Sequence, residues 1–180
     1  DTDFDRYRKD PLWRQFLHFF SDNNSRLRRS AWEKRPYPDV DFAEDQVWAA
    51  NSIEAGWKKA YAPSAPVFHS HEFGVFDQLR RAYDESRSFR RSFGYRLGGN
   101  LRQTIRSGIG LSRTDWKWGR SRNLPLREIL HRMVMDFALA AVHSLGTHDD
   151  RIPTRIQILL SRDKSLYQRD KRSSTSQGHQ

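Results

Sequence analysis

Hydrophobic and polar positions alternate in three different rhythms along this chain. In the stretch 44–57, Val47, Ala50, Ile53 and Trp57 recur at spacings of 3, 3 and 4, one face of an α-helix. The pattern predicts a helix over 44–55, opened by Asp41 or Ala43, with Gly56 in the left-handed position just past its end. Over 124–145, Leu126, Ile129, Leu130, Met133, Val134 and Phe137 follow the i, i+3, i+4 rule, with Pro125 suited to the first turn and Gly146 as the stop. A third helical stretch, 72–93, carries Phe73, Phe76, Tyr83, Phe89 and Phe93 on one side. Arg80, Arg81, Arg87, Arg90 and Arg91 lie on the other.

Elsewhere the rhythm is shorter. Phe16 to Phe20 is a compact apolar run that reads as a buried strand. Five small polar residues, Ser21 to Ser25, follow it. Such side chains hydrogen-bond nearby backbone and cap helices, so Asn24 or Ser25 is expected to cap a helix over 26–34. Pro36-Tyr37-Pro38 forces an extended segment. Residues 58–62 and 66–71 read as strands around a turn at 63–65, with Val67, His69 and His71 on one face. Residues 1–15 read as a loop with scattered aromatics. The stretch 94–122 holds six of the ten glycines, so helix is weak there. A short helix with Ile152, Ile156, Leu159 and Leu160 follows Pro153. The polar residues 163–180 are expected to be disordered.

Charge divides the chain. Residues 1–71 carry 11 Lys/Arg and 11 Asp/Glu; the rest carries 21 and 11, and so holds the entire formal excess of +10. This suggests a neutral part that does chemistry and a basic part that meets an anionic surface. The mixture of Arg with apolar helices fits either packed helices with solvated faces or attachment to an anionic inner leaflet. No nucleic-acid recognition motif accompanies the charge. Cysteine is absent, which excludes disulfides, thiolate metal sites and a cysteine nucleophile. The opening DTDFDRYRKD has neither an initiating Met nor an apolar signal core, and reads as the start of a piece of a longer protein.

Two groups stand out chemically. Glu44 and Asp45 sit in the first turn of the central helix, where the dipole and free N–H groups stabilise carboxylates whether or not they react. In the functional reading Asp45 is a general base that takes a proton from an acceptor hydroxyl. His69-Ser70-His71 puts two imidazoles on one side of an extended segment, a start for a metal site but not a complete one.

Three blocks taken together, FFSDNNSRLRRSAW from Phe19, DFAEDQ from Asp41 and VFHSH from Val67, resemble the C-terminal half of family 2 glycosyltransferases. The closest likeness is to the rhamnosyltransferase-like enzymes of surface-polysaccharide synthesis. HDDRIP from His148 continues it more loosely.

The resemblance implies an α/β GT-A fold, with residues 1–93 as the C-terminal, acceptor-side part of its catalytic domain. Residues 94–162 would be a basic amphipathic helical extension, and 163–180 a tail. It implies inverting transfer from a nucleotide-diphospho-sugar donor to a glycan or lipid-linked acceptor, a Mg²⁺ or Mn²⁺ cofactor, and a cytoplasmic place at the inner face of the membrane. On the matching positions, Asp45 is the catalytic base with Glu44 beside it, and His69 a metal ligand. Asp22, Asn23, Asn24, Trp48 and His71 are substrate-binding residues. The family's nucleotide-binding half, with its Asp-x-Asp motif, has no counterpart in this sequence, so the stretch alone is expected to be inactive. The rival expectation is a non-catalytic acceptor-docking module at a membrane surface.

Overall fold

The computed structural model describes residues 3–40, 42–70 and 73–162. Its contacts divide the chain into two compact units, Asp1–Glu72 and Phe73–Gln180, a division that coincides with the change in charge balance.

The first unit is helical where strands were expected. Helix α1 is Phe4–Lys9 and α2 is Pro11–His18. Both have aspartate caps: Asp3 accepts from the N–H groups of Asp5 and Arg6, and Asp10 from those of Leu12 and Trp13. Pro11 at the first helical position completes the second start signal. The Phe16–Phe20 run is therefore divided between the end of α2 and the extended residues after it. Short apolar runs do not distinguish strand from helix, and the Asp-Pro start decides this one. A 3₁₀ turn, Asp22–Asn24, and α3, Arg29–Lys34, follow. Helix α3 begins three residues later than predicted, after Arg28 and without a side-chain cap; of the two predicted caps, Asn24 donates to the Ala65 carbonyl and Ser25 to Asp22 instead.

Helix α4, Glu44–Glu54, occupies the predicted span, and Gly56 takes the predicted left-handed conformation at φ +85°. Ile53 packs with Tyr7 and Leu17, while Trp48 and Ala49 pack with Ala31. At the first cluster the buried Tyr7 hydroxyl donates to Glu54 and lies 2.6 Å from His18 Nε2. Burial holds the His18 imidazole down at about 4, so the ring is neutral at physiological pH.

The remaining predicted strands, 58–62 and the described part of 66–71, are irregular. Lys59 ties its segment to the chain through its ammonium group, which donates to the carbonyls of Leu17 and Phe19. Residues 65–70 are exposed. No strand occurs among the described residues, so the fold is all-helical and the α/β GT-A expectation is overturned.

The second unit is built on α5, Val75–Phe93, α6, Leu101–Ser121, and α7, Leu126–Thr147, with α8, Thr154–Leu160, after a 3₁₀ turn at Asp149–Arg151. Helix α6 runs through the glycine-rich stretch where helix was expected to be weak. Asn100 and Gln103 form a reciprocal capping box at its start. Gly108 and Gly119 lie against Phe137 and Ile129 of α7, so the missing side chains permit close packing of the two helices. Gly146 does not stop α7. It is buried at the crossing with α5, where a Cβ would fall 2.4 Å from the Tyr83 carbonyl oxygen.

Arg87, expected on a polar face, is the largest fully buried side chain. Its Nε donates to Asp149 at 3.1 Å, and Arg90 and Arg91 reach the same carboxylate at 3.2 and 3.0 Å. Arg90 also reaches Asp150 at 2.6 Å, and a Ser86–Thr147 hydroxyl contact of 2.9 Å seals the crossing. No helix among the described residues is long and apolar enough to cross a membrane.

Removing one member of a buried ion pair strands its partner, which costs roughly 3–5 kcal/mol. Asp149→Ala is therefore expected to lower the unfolding free energy of the second unit by an amount of that order in urea titration. Asp150→Ala, whose side chain is exposed, is expected to leave the unfolding midpoint nearly unchanged.

Candidate functional site

Helix α4 starts without a side-chain cap. Its N-cap, Ala43, is buried and left-handed (φ 59°, ψ 38°), a conformation costing an L-residue roughly 1–2 kcal/mol. The first turn that follows presents Glu44, exposed, and Asp45, half-buried. The Asp45 carboxylate accepts from the Gln46 N–H at 2.7 Å and, at 3.4 Å, from the N–H of Asp22. The fold thus brings together two blocks that are 23 residues apart in sequence.

Asp22 in turn accepts a 2.5 Å hydrogen bond from the Tyr37 hydroxyl and a longer one, 3.5 Å, from Ser25. Asn23 bonds back to Ser21, and Asn24 donates to the Ala65 carbonyl at 2.7 Å, closing the polar segment against the turn at 63–65. Asp22, Asn23 and Asn24 are all exposed, so they line an open surface beside Asp45.

Burial pushes the Asp45 carboxyl above its ordinary value of 3.8, opposed by the two N–H donors and reinforced by the charges of Glu44 and Asp22. The Tyr37 hydroxyl is pushed up by burial, by its bond to Asp22 and by the same cluster of carboxylates, and so stays protonated. The arrangement is a carboxylate of raised basicity beside a second carboxylate held by a phenol. A carboxylate in that position can receive a proton from a hydroxyl approaching the open side.

Trp48 lies beneath this surface rather than on it. It is buried, its indole N–H donates to the Arg35 carbonyl at 2.5 Å, and its ring packs against those of Phe20 and Tyr37, each 5.8 Å away. Trp48 therefore orients Tyr37. His69 is exposed on the irregular segment, and His71 lies outside the described residues. Among the described residues no three His, Asp or Glu side chains converge closely enough to hold a metal ion. Tyr37 is the member of the cluster that sequence reasoning passed over. Its signal was the flanking prolines, which fix the backbone on both sides of the one phenol in that segment.

Part of the chain is similar to curated polysaccharide enzymes. Over 68 residues it is 37% identical to the O-antigen chain rhamnosyltransferase RfbN of Salmonella typhimurium, and equally so to the O-antigen chain rhamnosyltransferase WbaN of Salmonella anatum. The likeness covers 37% of this chain and 22% of each relative. The chain thus spans about a fifth of the length of the curated relatives it matches. No family model matches the chain, and no solved structure matches it.

The left-handed N-cap gives a direct test of the site's backbone. Glycine adopts that conformation freely, whereas a β-branched residue is a strong outlier there. Ala43→Gly is expected to keep or raise the thermal midpoint, and Ala43→Val to destabilise the unit by an amount on the order of 1–3 kcal/mol. Calorimetry of the two variants checks this.

Proposed function

We propose that this chain is part of a glycosyltransferase of polysaccharide synthesis, in which Asp45 is the general base for the acceptor hydroxyl. The observation that carries the reading is the convergence of Asp45, Asp22 and Tyr37 on one open surface. The partial likeness to O-antigen rhamnosyltransferases supplies the reaction class.

In the proposed step, the acceptor oxygen attacks the anomeric carbon of a nucleotide-diphospho-sugar. The new C–O bond forms as the bond to the diphosphate breaks. The electron pair leaves with the nucleoside diphosphate, and the hydroxyl proton passes to Asp45. A single displacement of this kind inverts the anomeric centre. Glu44 and Asp22 keep negative charge around Asp45, which strengthens it as a base. Asn23 and Asn24 offer amide groups beside it to sugar hydroxyls. Rhamnose is the donor sugar that the relatives' names suggest.

A positioned general base contributes about 10²–10⁴-fold. Release of nucleoside diphosphate from dTDP- and UDP-sugars, by the longest native form of the protein with an acceptor extract, is expected to fall by that factor in Asp45→Asn. Asp45 must be ionised to accept a proton, so the rate is expected to fall as pH drops through its raised pKa, above the range of an ordinary aspartate. Turnover unchanged in Asp45→Asn would contradict the assignment.

A further inference from the structure

We infer that the α6–α7 hairpin presents a docking face for an anionic lipid surface. The inference rests on the second unit alone and is independent of the chemistry proposed for Asp45.

The register of the hairpin is fixed by three contacts. Gly108 and Gly119 of α6 pack against Phe137 and Ile129 of α7, and the Ser112 hydroxyl donates to the Met133 carbonyl. These residues mark the seam on each helix. Helical residues advance by about 100° each. On α6 this puts Ile105, Ile109 and Trp116 immediately to one side of the seam. On α7 it puts Leu130, Val134 and Leu145 beside theirs. Each row is rotated in the same sense from its own seam, and the helices run antiparallel. The two rows therefore share one face of the hairpin.

All of these side chains are exposed, Val134 by 67% and Leu130 by 48%. A soluble monomer rarely leaves so continuous an apolar strip uncovered.

Charge identifies what covers it. Continuing around α6 from its apolar row come Arg102, Arg106, Arg113, Lys117 and Arg120, all exposed. The carboxylates of the two helices, Asp115, Glu128 and Asp136, lie on the other side, where they line a cleft with Gln78. The face is thus apolar at its centre, cationic along its α6 edge and free of carboxylates. That pattern fits helices lying in the headgroup region of an anionic leaflet, with leucine and tryptophan in the acyl boundary and arginine at the phosphates. A second copy of the chain would bring no carboxylate on this face to meet the cations, and a nucleic acid would leave the apolar centre uncovered. Neither helix is apolar enough to span, so the face lies on the membrane.

The test is co-sedimentation of the full chain with vesicles containing phosphatidylglycerol or made of phosphatidylcholine alone. Two variants accompany it: Val134→Asp, which interrupts the apolar row, and Arg106→Glu/Arg113→Glu, which reverses part of the edge. Circular dichroism establishes that each retains its helix content. The inference expects binding to the phosphatidylglycerol vesicles only, weakened more than about tenfold in both variants. Absence of binding, or equal binding by the charge-reversal variant, would overturn it. So would a lipid-independent dimer that Val134→Asp dissolves, since the face would then belong to a second copy.

Discussion

Burial of helix α4 on two sides is the constraint on which the first unit depends. Its Ile53 closes the Tyr7–Leu17 cluster, and its Trp48 and Ala49 close the cluster with Ala31. With those flanks occupied, the opening turn is the part of the helix left to face outward, and it carries Glu44 and Asp45. The segments from either neighbour, 21–25 and 36–38, then meet that turn because the elements they belong to are already packed on the helix below. The acidic cluster is therefore a consequence of packing. Asp22 reaches Asp45 because Phe20 packs against Trp48, and Tyr37 reaches Asp22 because its ring packs against the same indole. The left-handed Ala43 shows that the chain accepts local strain where it enters this turn.

The second unit solves a different problem with arginine. A helix as charged as α5 would ordinarily keep its cations in water. Here Asp149, itself buried, gathers Arg87, Arg90 and Arg91 and fixes the turn between α7 and α8. Part of the chain's positive excess is thereby consumed inside the structure. The cations that remain on α6 lie beside an uncovered apolar row, and the two together define the surface assigned to lipid.

What the sequence disclosed follows from which forces are local. Helices α4 and α7 were legible because a sustained 3.6-residue rhythm has one solution, and Gly56 because a left-handed helix end favours glycine. The helices of residues 4–18 were missed although Asp3, Asp10 and Pro11 are ordinary start signals, since each helix is too short to show a rhythm. Helix α6 was missed because glycine was counted as a cost. Its benefit, close contact with Phe137 and Ile129, lies in another helix. The strands read from short apolar runs at 16–20, 58–62 and 66–71 do not occur among the described residues. Of the site, the sequence disclosed Asp45 and the 21–25 segment as separate blocks. Their contact, the part played by Tyr37 and the burial of Trp48 are tertiary facts that no spacing encodes.

Asp45 acts as a base only as a partly buried carboxylate within reach of Asp22's charge. Carbon-13 NMR of the Asp45 side chain, followed through an acid titration in the native sequence and in Asp22→Asn, tests this directly. The expected midpoint lies above 3.8 and moves down when the neighbouring charge is removed, since the Asp22 N–H donor persists in the variant. An ordinary midpoint, indifferent to Asp22→Asn, would mean that Asp45 stands alone in water and that the cluster does not exist.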